Sequence, residues 1–224
     1  LKKFKFFFKI IRFFHKKYIR ISNSFSKQKF NSVIIKLLKN KVKIDTIYDI
    51  GACRGEWTEI ASNTSLNGKK FILFEANIEH ENQLKKFGHK YFISLLSNKV
   101  QDVKFYSRNS SGDSYYPEKS EYYKELKSPK MLQTSTLDII QEKNNLPFPD
   151  FIKIDTQGSE IDILEGAQKT LEKCNIILIE CPIISYNKGA PTLNEYVDYL
   201  NKIGFLPIEI CDMHHMDKVL IQID

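Results

Sequence analysis

The sequence contains few cysteines, and none of them falls into a recognisable pattern. The 224 residues include four, which are Cys53, Cys174, Cys181 and Cys211. They form no CxxC pair and do not have the spacing of a zinc site, so neither a disulfide framework nor a cysteine-based metal centre is indicated. Free thiols in a reducing compartment are the simplest interpretation, and we expect a cytoplasmic protein.

The sequence also lacks a long uninterrupted apolar run. Near its start, Lys5, Lys9 and Arg12 interrupt the stretch that a signal peptide would need, and nothing downstream approaches the length of a membrane span. With 42% apolar and 27% charged residues, the composition is that of a globular protein rather than a disordered one. The length suits one α/β domain.

Acidic residues are absent before Asp45. Residues 1–44 hold 14 of the 34 lysines and arginines, and the remainder carries 20 basic against 27 acidic residues. A nucleic-acid-binding domain would carry its basic patch on the fold itself, so this distribution does not favour nucleic acid as a partner. We expect a basic helical leader over 1–44, followed by one domain over 45–224.

Six cations in the leader recur at helical spacing along one stripe, while phenylalanine and isoleucine cover the other faces. The six are Lys2, Lys5, Lys9, Arg12, Lys16 and Arg20. Such a helix either lies on an anionic membrane surface through residues 1–21, or packs on the domain or on a second subunit. Both interpretations stay open, and the second leaves room for a homodimer.

From residue 46 onward, short β-branched runs alternate with helix-period stretches, which predicts a doubly wound α/β sheet covered on both faces. A helix over 30–44 should precede it and bury Val33, Ile34, Leu37 and Leu38. Seven strands are predicted, at 46–50, 71–75, 91–95, 151–155, 176–180, 205–210 and 218–222. The last two should form an antiparallel hairpin, because the turn between them is too short for a crossover helix. An insertion over 97–136 should add a small hairpin from 101–107 and 132–136.

The sharpest local signal is Asp-Ile-Gly-Ala-Cys-Arg-Gly-Glu-Trp-Thr over 49–58, a strand that runs into two glycines four apart and then a helix. Dinucleotide enzymes use GxGxxG at this point to hold a pyrophosphate. An acid at the turn would repel that anion, whereas Asp49 suits the amino group of a methionyl moiety. Gly51 and Gly55 would let the backbone approach it closely. An ordinary tight strand-to-helix turn is the alternative.

Three further acids, Glu75, Asp155 and Glu180, end predicted strands. Glu75 closes Phe-Ile-Leu-Phe-Glu and lies 24 residues beyond Gly51, where a carboxylate can accept both ribose hydroxyls of an adenosine. Asp155 closes Phe-Ile-Lys-Ile-Asp beside the crevice where strand order reverses, and it is therefore expected near the reaction centre. Lys153 and Glu160 have either functional or structural roles. Glu180 lines the same edge after the fifth strand.

Together these motifs resemble the FkbM family of methyltransferases. The match runs over about residues 46–211 and joins Asp-Ile-Gly-Ala, Phe-Glu-Ala-Asn, Thr-Leu-Asp and Ile-Lys-Ile-Asp-Thr-Gln-Gly-Ser-Glu. The resemblance implies a class I Rossmann-like fold, S-adenosylmethionine as donor and, usually, a hydroxyl oxygen as acceptor. The donor positions that we assign with it are Asp49, Gly51, Ala52, Gly55, Trp57, Thr58, Glu75, Ala76, Asn77, Leu96, Asp155, Gly158 and Glu160. Gln157 departs from the family, which more often has Asp-Val-Glu-Gly there.

Methyl transfer to oxygen requires alignment of the reactants and a base for the hydroxyl proton. The candidate bases, in order of preference, are Asp155, Glu180 and His214. His214 and His215 stand near Asp212 and Asp217, but exposed turn residues explain that cluster better than a metal site, and no metal is predicted.

The acceptor should be chosen by the insertion, whose tyrosines would stack on sugar faces. The substrate positions are Arg108, Ser114, Tyr115, Tyr116 and Gln157. Plain surface tyrosines are the alternative. Combined with the leader, this suggests a saccharide acceptor, in one version lipid-linked, presented at the inner membrane face.

Two other classes of protein remain as alternatives. A nicotinamide-dependent oxidoreductase would use the same sheet and Glu75, but it should have a third glycine in the first turn. A non-catalytic membrane-associated binding protein on this fold would have lost its catalytic acid, and both Asp155 and Glu180 are present.

Overall fold

The computed structural model describes residues 28–107, 112–119, 129–184, 187–216 and 219–223, and after residue 212 it describes the backbone alone. The predicted basic stripe over 1–21 therefore lies outside the described residues. A helix over 28–39, α1, leads into the domain. It matches the helix predicted over 30–44, although it ends earlier.

The elements after α1 alternate between strands and helices. In chain order they are β1 (Thr46–Ile50), α2 (Glu56–Ser62), β2 (Lys70–Glu75), α3 (Glu81–Leu84), β3 (Lys90–Ile93), β4 (Leu95–Leu96), β5 (Asp102–Phe105), β6 (Lys130–Ser135), α4 (Leu137–Lys143), β7 (Phe151–Ile154), α5 (Glu160–Glu165), α6 (Gln168–Leu171), β8 (Ile176–Ile179), β9 (Cys181–Pro182), α7 (Leu193–Lys202), β10 (Met213–Met216) and β11 (Val219–Ile223). Short 3₁₀ turns flank α3.

The central sheet consists of five parallel strands in the order β3-β2-β1-β7-β8. Every residue of β1 and β7 is buried, which explains why these strands are nearly continuous apolar runs in the sequence. The chain winds outward from β1 to β3 and then returns to place β7 on the other side of β1. The order thus reverses between β1 and β7, and ligands of open α/β sheets bind at the carboxyl ends of strands at such a point.

Alternate residues of the strands feed two apolar clusters on opposite faces of the sheet. One cluster contains Tyr48, Ile50 and Ile152, while the other contains Ile47 and Phe151. Phe30 and Ile34 of α1 belong to the second cluster, so the helix packs on the domain. Each such side chain contributes roughly 1.5–3 kcal/mol when it is fully buried.

The insertion contains the predicted small hairpin. β5 pairs antiparallel with β6, and β6 also pairs in parallel with β4. Beyond β5, Tyr106 and Ser114 form an antiparallel bridge. This pairing brings the segment 112–119 over the carboxyl edge of the central sheet.

The C-terminal part differs from the prediction in register and in sheet membership. Residues 205–210 form no strand. The hairpin consists of β10 and β11, and β11 also pairs with β9, in a sheet separate from the central one. The central sheet of the described residues therefore has five strands instead of seven. Leu206 and Ile208 alternate like strand residues, but they are 75% and 69% exposed. Pro207 between them has no N–H to give to a ladder, and no apolar layer covers the run.

In the part of the chain that the structure describes, no helix combines the length and the apolar character needed to cross a bilayer.

Candidate active site

A cleft opens at the carboxyl ends of β1, β2 and β7. It encloses about 540 Å³ when the open space at its mouth is included. Its lining combines strand ends with the insertion and consists of Ile50, Gly51, Cys53, Phe74, Glu75, Ala76, Ser94, Leu95, Leu96, Phe105, Asp113, Ser114, Tyr115, Asp155, Thr156, Ser159 and Ile163. Seven of the predicted donor or substrate positions are among them.

The first glycine turn touches the loop after β7 through its backbone. Gly51 has φ +73°, and a Cβ built on it would lie 1.9 Å from the carbonyl oxygen of Asp155. Only glycine fits so close an approach in this conformation. Gly55 has φ +83° and lies against the ring of Phe87, and it does not line the cleft.

Asp49 lies beneath this turn instead of at its surface. Its carboxylate is fully buried, accepts a hydrogen bond of 2.6 Å from the Thr58 hydroxyl and lies 3.1 Å from Nζ of Lys153. Trp57 packs edge-on against Phe30, on the same face of the sheet. The sequence predicted three of these residues as donor positions, namely Asp49, Trp57 and Thr58. In the structure they support the loop from below and do not line the cleft.

Glu75 stands at the tip of β2 and lines the cleft. Its carboxylate is buried and accepts hydrogen bonds from the backbone N–H of Cys53 (2.7 Å) and of Asn77 (2.8 Å). Burial raises the pKa of Glu75 above its usual range, although both N–H groups and nearby His80 oppose the shift. The side chain of Asn77 points away to the insertion, where it donates to Asp113 Oδ2 at 2.7 Å.

The loop after β7 brings together two of the candidate bases. Asp155 lines the cleft, and its side chain is 40% exposed. Gln157 has φ +59°, and its amide Nε2 donates both to Asp155 Oδ1 (3.1 Å) and to Glu180 Oε2 (2.6 Å). One glutamine amide therefore bridges the two acids. Glu180 and Gln157 line a smaller neighbouring cavity together with Gly158 and Glu160.

Glu160 holds this loop from behind. It is buried and accepts hydrogen bonds from the backbone N–H of Thr156 (2.8 Å) and Gly158 (3.0 Å), and the hydroxyl of Tyr196 also donates to it. Burial raises the pKa of Glu160. Gly158 has φ +110°, and a Cβ there would lie 2.6 Å from the Cβ of Ala190. Neither residue lines the main cleft, and both shape the loop that carries Asp155.

The insertion closes the cleft from the outer side. The Ser114 hydroxyl donates to the carbonyl of Gln157 at 2.9 Å. The hydroxyls of Tyr115 and Tyr116 both donate to Asp162 Oδ2, at 2.7 and 2.8 Å. Burial raises the pKa of both tyrosines, so both keep their protons. Their hydroxyls therefore fix the insertion to α5, and Tyr115 alone of the two lines the cleft.

The remaining predicted site residues lie away from the cleft or outside the described residues. Ala52 is buried in the second apolar cluster, and its N–H donates to the carbonyl of Phe74. Arg108 lies outside the described residues, as does the side chain of His214, whose backbone lies in β10. Among the residues whose side chains are described, no group of three or more His, Cys, Asp or Glu is placed to hold a metal.

Several lining residues were not found from the sequence. Cys53 lies inside the glycine motif, which was the available signal for it, and Thr156 and Ser159 lie inside the Asp155 motif. Asp113 lies between the two hairpin strands of the insertion, in a stretch without periodicity, so no local pattern indicated it. Asn187 was also missed, and it donates to the carbonyl of Gln157 from a distant loop.

The family model of the methyltransferase FkbM domain matches residues 49–207, which is well over half of the chain. The chain therefore belongs to the FkbM methyltransferase domain family. This sets aside the nicotinamide-dependent oxidoreductase. No curated protein sequence matches the chain significantly.

Solved structures of methyltransferases resemble this chain at low identity. The methyltransferase FkbM from Methylobacillus flagellatus KT is 15% identical, with a TM-score of 0.48 over 80% of this chain and 43% of that one. The precorrin-6y C5,15-methyltransferase from Geobacter metallireducens GS-15 is 15% identical, with a TM-score of 0.46 over 86% and 84%. A SAM dependent methyltransferase from Archaeoglobus fulgidus is 14% identical, with a TM-score of 0.42 over 86% and 76%. The present chain thus spans less than half the length of the first of these proteins.

Proposed function

We propose that this methyltransferase uses S-adenosylmethionine as its donor and methylates a hydroxyl oxygen of a saccharide, such as a precursor of a cell-envelope glycan. The observation that carries the proposal is the cleft itself, which has Glu75 and Asp155 at two strand tips and the polar insertion across its outer side.

The residues present suit this donor. Glu75 uses two acceptor positions on backbone N–H groups and keeps further lone pairs for ribose hydroxyls. Three carboxylates line the cleft, which are Glu75, Asp113 and Asp155, and they favour a cationic ligand. Contact between Asp49 and the amino group would require Asp49 to leave Lys153 and Thr58, so we propose that Asp49 supports the glycine turn instead.

We assign Asp155 as the base. It is the more exposed to the cleft of the two bridged acids, whereas Glu180 lies in the neighbouring cavity. In the reaction a C–O bond forms as a C–S bond breaks, the sulfur keeps the electron pair of the broken bond, and the hydroxyl proton passes to Asp155. The chain mainly has to hold the acceptor in line, and a well-placed base adds roughly 10²- to 10⁴-fold.

A polar acceptor is favoured by the walls near Asp155. Ser114 and Gln157 place a hydroxyl and an amide group there, and groups of these kinds form hydrogen bonds with sugar hydroxyls when a sugar is bound. Because the tyrosine hydroxyls are engaged with Asp162, we propose that Tyr115 offers its ring edge and that Ser114 and Gln157 carry the polar contacts.

Binding and turnover test the proposal separately. Calorimetry should detect S-adenosylhomocysteine but not NADH, and labelled donor should transfer its methyl group to cell-envelope glycans. Asp155→Asn should retain the product affinity and lose turnover, while Glu180→Gln should lose much less. Transfer to nitrogen or carbon acceptors alone, or full turnover by Asp155→Asn, would refute the hydroxyl chemistry assigned to this site.

The leader supports a second part of the proposal, namely that the acceptor is presented at an anionic membrane surface. Its stripe of cations and its aromatic faces are suited to such a surface. Liposomes of anionic lipid should sediment the full chain but not a form that lacks residues 1–21. Equal recovery of both forms in the supernatant would remove the membrane part, and a change in size on truncation would point to a second subunit instead.

A further inference from the structure

Lys153 is a buried cation in the middle of the central sheet. It lies in β7 next to Asp49 of β1 in register, and only 8% of its side chain is exposed. Its neighbours Ile152 and Ile154 are apolar, so nothing in the strand itself requires a charge at this position. Burial of an ammonium group costs several kcal/mol unless partners compensate for it.

The partners of Lys153 come from both loops at the cleft. Nζ lies 3.1 Å from Asp49 Oδ1, donates to the carbonyl of Gly51 at 3.1 Å and lies 3.7 Å from Asp155 Oδ2. From α2, the ring of Trp57 lies 6.0 Å away, and Glu180 after β8 adds its negative field. One ammonium group therefore joins the floor of the site, the glycine turn and the loop of Asp155.

Lys153 stays charged in this environment. Burial alone would lower its pKa, but Asp49 and Asp155 outweigh that effect, and the pKa of Lys153 is raised above its usual value. Without a cation between them, Asp49 and Asp155 would be like charges on neighbouring strands, and such pairs raise the pKa of a carboxyl group.

We infer that Lys153 is a positioning residue of the transfer reaction: through its charge it holds the carboxylate of Asp155 at the cleft, and it fixes the spacing between the glycine turn and the loop after β7. The inference rests on the proposed role of Asp155 as the base. It gives this lysine a role in the chemistry that a structural ion pair would not have.

The test uses two probes and needs no acceptor. S-adenosylhomocysteine is neutral at sulfur, whereas sinefungin carries an ammonium group where the reacting methyl would be. A carboxylate near that point should favour sinefungin, and the preference should disappear at low pH, where carboxylates are protonated. Calorimetry of both probes across pH on the full chain therefore reports the ionisation of the cleft carboxylates, which are Glu75, Asp113 and Asp155, and the midpoint that Asp155→Asn removes is the one that belongs to Asp155.

Substitutions of Lys153 and of Asp49 should shift the pH midpoint of the sinefungin preference in opposite directions. Lys153→Met should move the midpoint of the preference to higher pH by about one unit or more, because Asp155 loses a cation. Asp49→Asn should move it to lower pH, because Asp155 loses a like charge while Lys153 remains. Lys153→Arg should restore most of the wild-type midpoint. The control is Lys169→Met, since Lys169 forms an exposed pair with Glu142 and should change nothing.

The spacing part has its own measurement. Lys153→Met should weaken S-adenosylhomocysteine about tenfold or more and speed amide exchange over residues 51–55. An unshifted midpoint in both Lys153→Met and Asp49→Asn would overturn the electrostatic part, and wild-type affinity in Lys153→Met would overturn the spacing part. A wild-type protein that binds S-adenosylhomocysteine without any pH-dependent preference for sinefungin would instead refute the proposed place of Asp155. If Lys153→Met does not fold, Asp49→Asn still decides the direction of the shift.

Discussion

Replacement of Glu75 by glutamine changes the charge of the site with almost no change in shape. The carboxylate accepts hydrogen bonds from Cys53 N–H and Asn77 N–H, and in the proposed complex it would also accept the ribose hydroxyls. Glutamine keeps one acceptor oxygen and sets an NH₂ group against one of these donors. A hydrogen bond to a charged group contributes about 1.5–3 kcal/mol. We therefore expect a loss of about 2–3 kcal/mol in binding, which weakens the affinity about 30- to 150-fold.

Calorimetry with S-adenosylhomocysteine measures this loss directly. Glu79→Gln is the matched control, because Glu79 lies four residues further on and is exposed. Burial raises the pKa of Glu75. As the pH is lowered, the wild-type affinity should therefore begin to fall at a higher pH than the one at which an exposed glutamate is protonated, and Glu75→Gln should lack this dependence. If Glu75→Gln binds within about twofold of wild type, the ribose contact is refuted.

The same pKa makes a prediction about stability. A carboxyl group whose pKa is raised by folding stabilises the native state below its ordinary pKa, and that stability is lost as the pH rises through the raised value. In the absence of ligand, the free energy of unfolding of the wild-type protein should therefore decrease as the pH rises through this window. Glu75→Gln should show a flatter dependence over the same window.

Three other substitutions test the frame around the cleft. Gly51→Ala should prevent folding or abolish binding, because its Cβ would lie 1.9 Å from the Asp155 carbonyl oxygen. The control is Gly68→Ala, since Gly68 also has a positive φ but a Cβ there would meet nothing within 4 Å. That substitution should lower the free energy of unfolding by only about 1 kcal/mol, measured by denaturant unfolding. Phenylalanine at both Tyr115 and Tyr116 should speed amide exchange over 112–119 about tenfold, with little change in melting temperature; unchanged exchange would contradict the anchoring role of Asp162. Asp150→Asn should lower the free energy of unfolding by about 1–3 kcal/mol without changing product affinity, because Asp150 accepts the N–H groups of Asp45 and Thr46 at the other end of the sheet.

The acids at the strand ends could be predicted from the sequence. Buried parallel strands are short apolar runs, and where such a run stops at an acid, the acid stands at the carboxyl edge. This reasoning located Glu75 at the end of β2 and Asp155 directly after β7. The insertion hairpin was equally accessible, because its two runs alternate with period two.

The buried position of Asp49 was not predicted, because its place along the strand was considered and not the face of the sheet to which it points. Asp49 is two residues after Ile47 and therefore points to the same face, which α1 covers. Lys153 follows Phe151 in the same way and reaches the same face. Alternation alone would have paired these charges under the turn. The bond from Tyr196 to Glu160 joins residues 36 positions apart, and no local pattern predicts it.

Acids at this edge of the sheet form two layers. Glu75 and Asp155 face the cleft, while Asp49, Glu160 and Asp162 stand behind the loops that surround it. A buried carboxylate without partners is strongly unfavourable, so Asp49 and Glu160 hold their donors in place, and the half-buried Asp162 binds two tyrosine hydroxyls. The donors to Asp49 belong to α2 and β7, those to Glu160 include the loop after β7, and those to Asp162 belong to the insertion. The loops are thereby ordered before a ligand arrives. Since ordering on binding would otherwise reduce affinity, the rear carboxylates should contribute to donor binding without touching the donor.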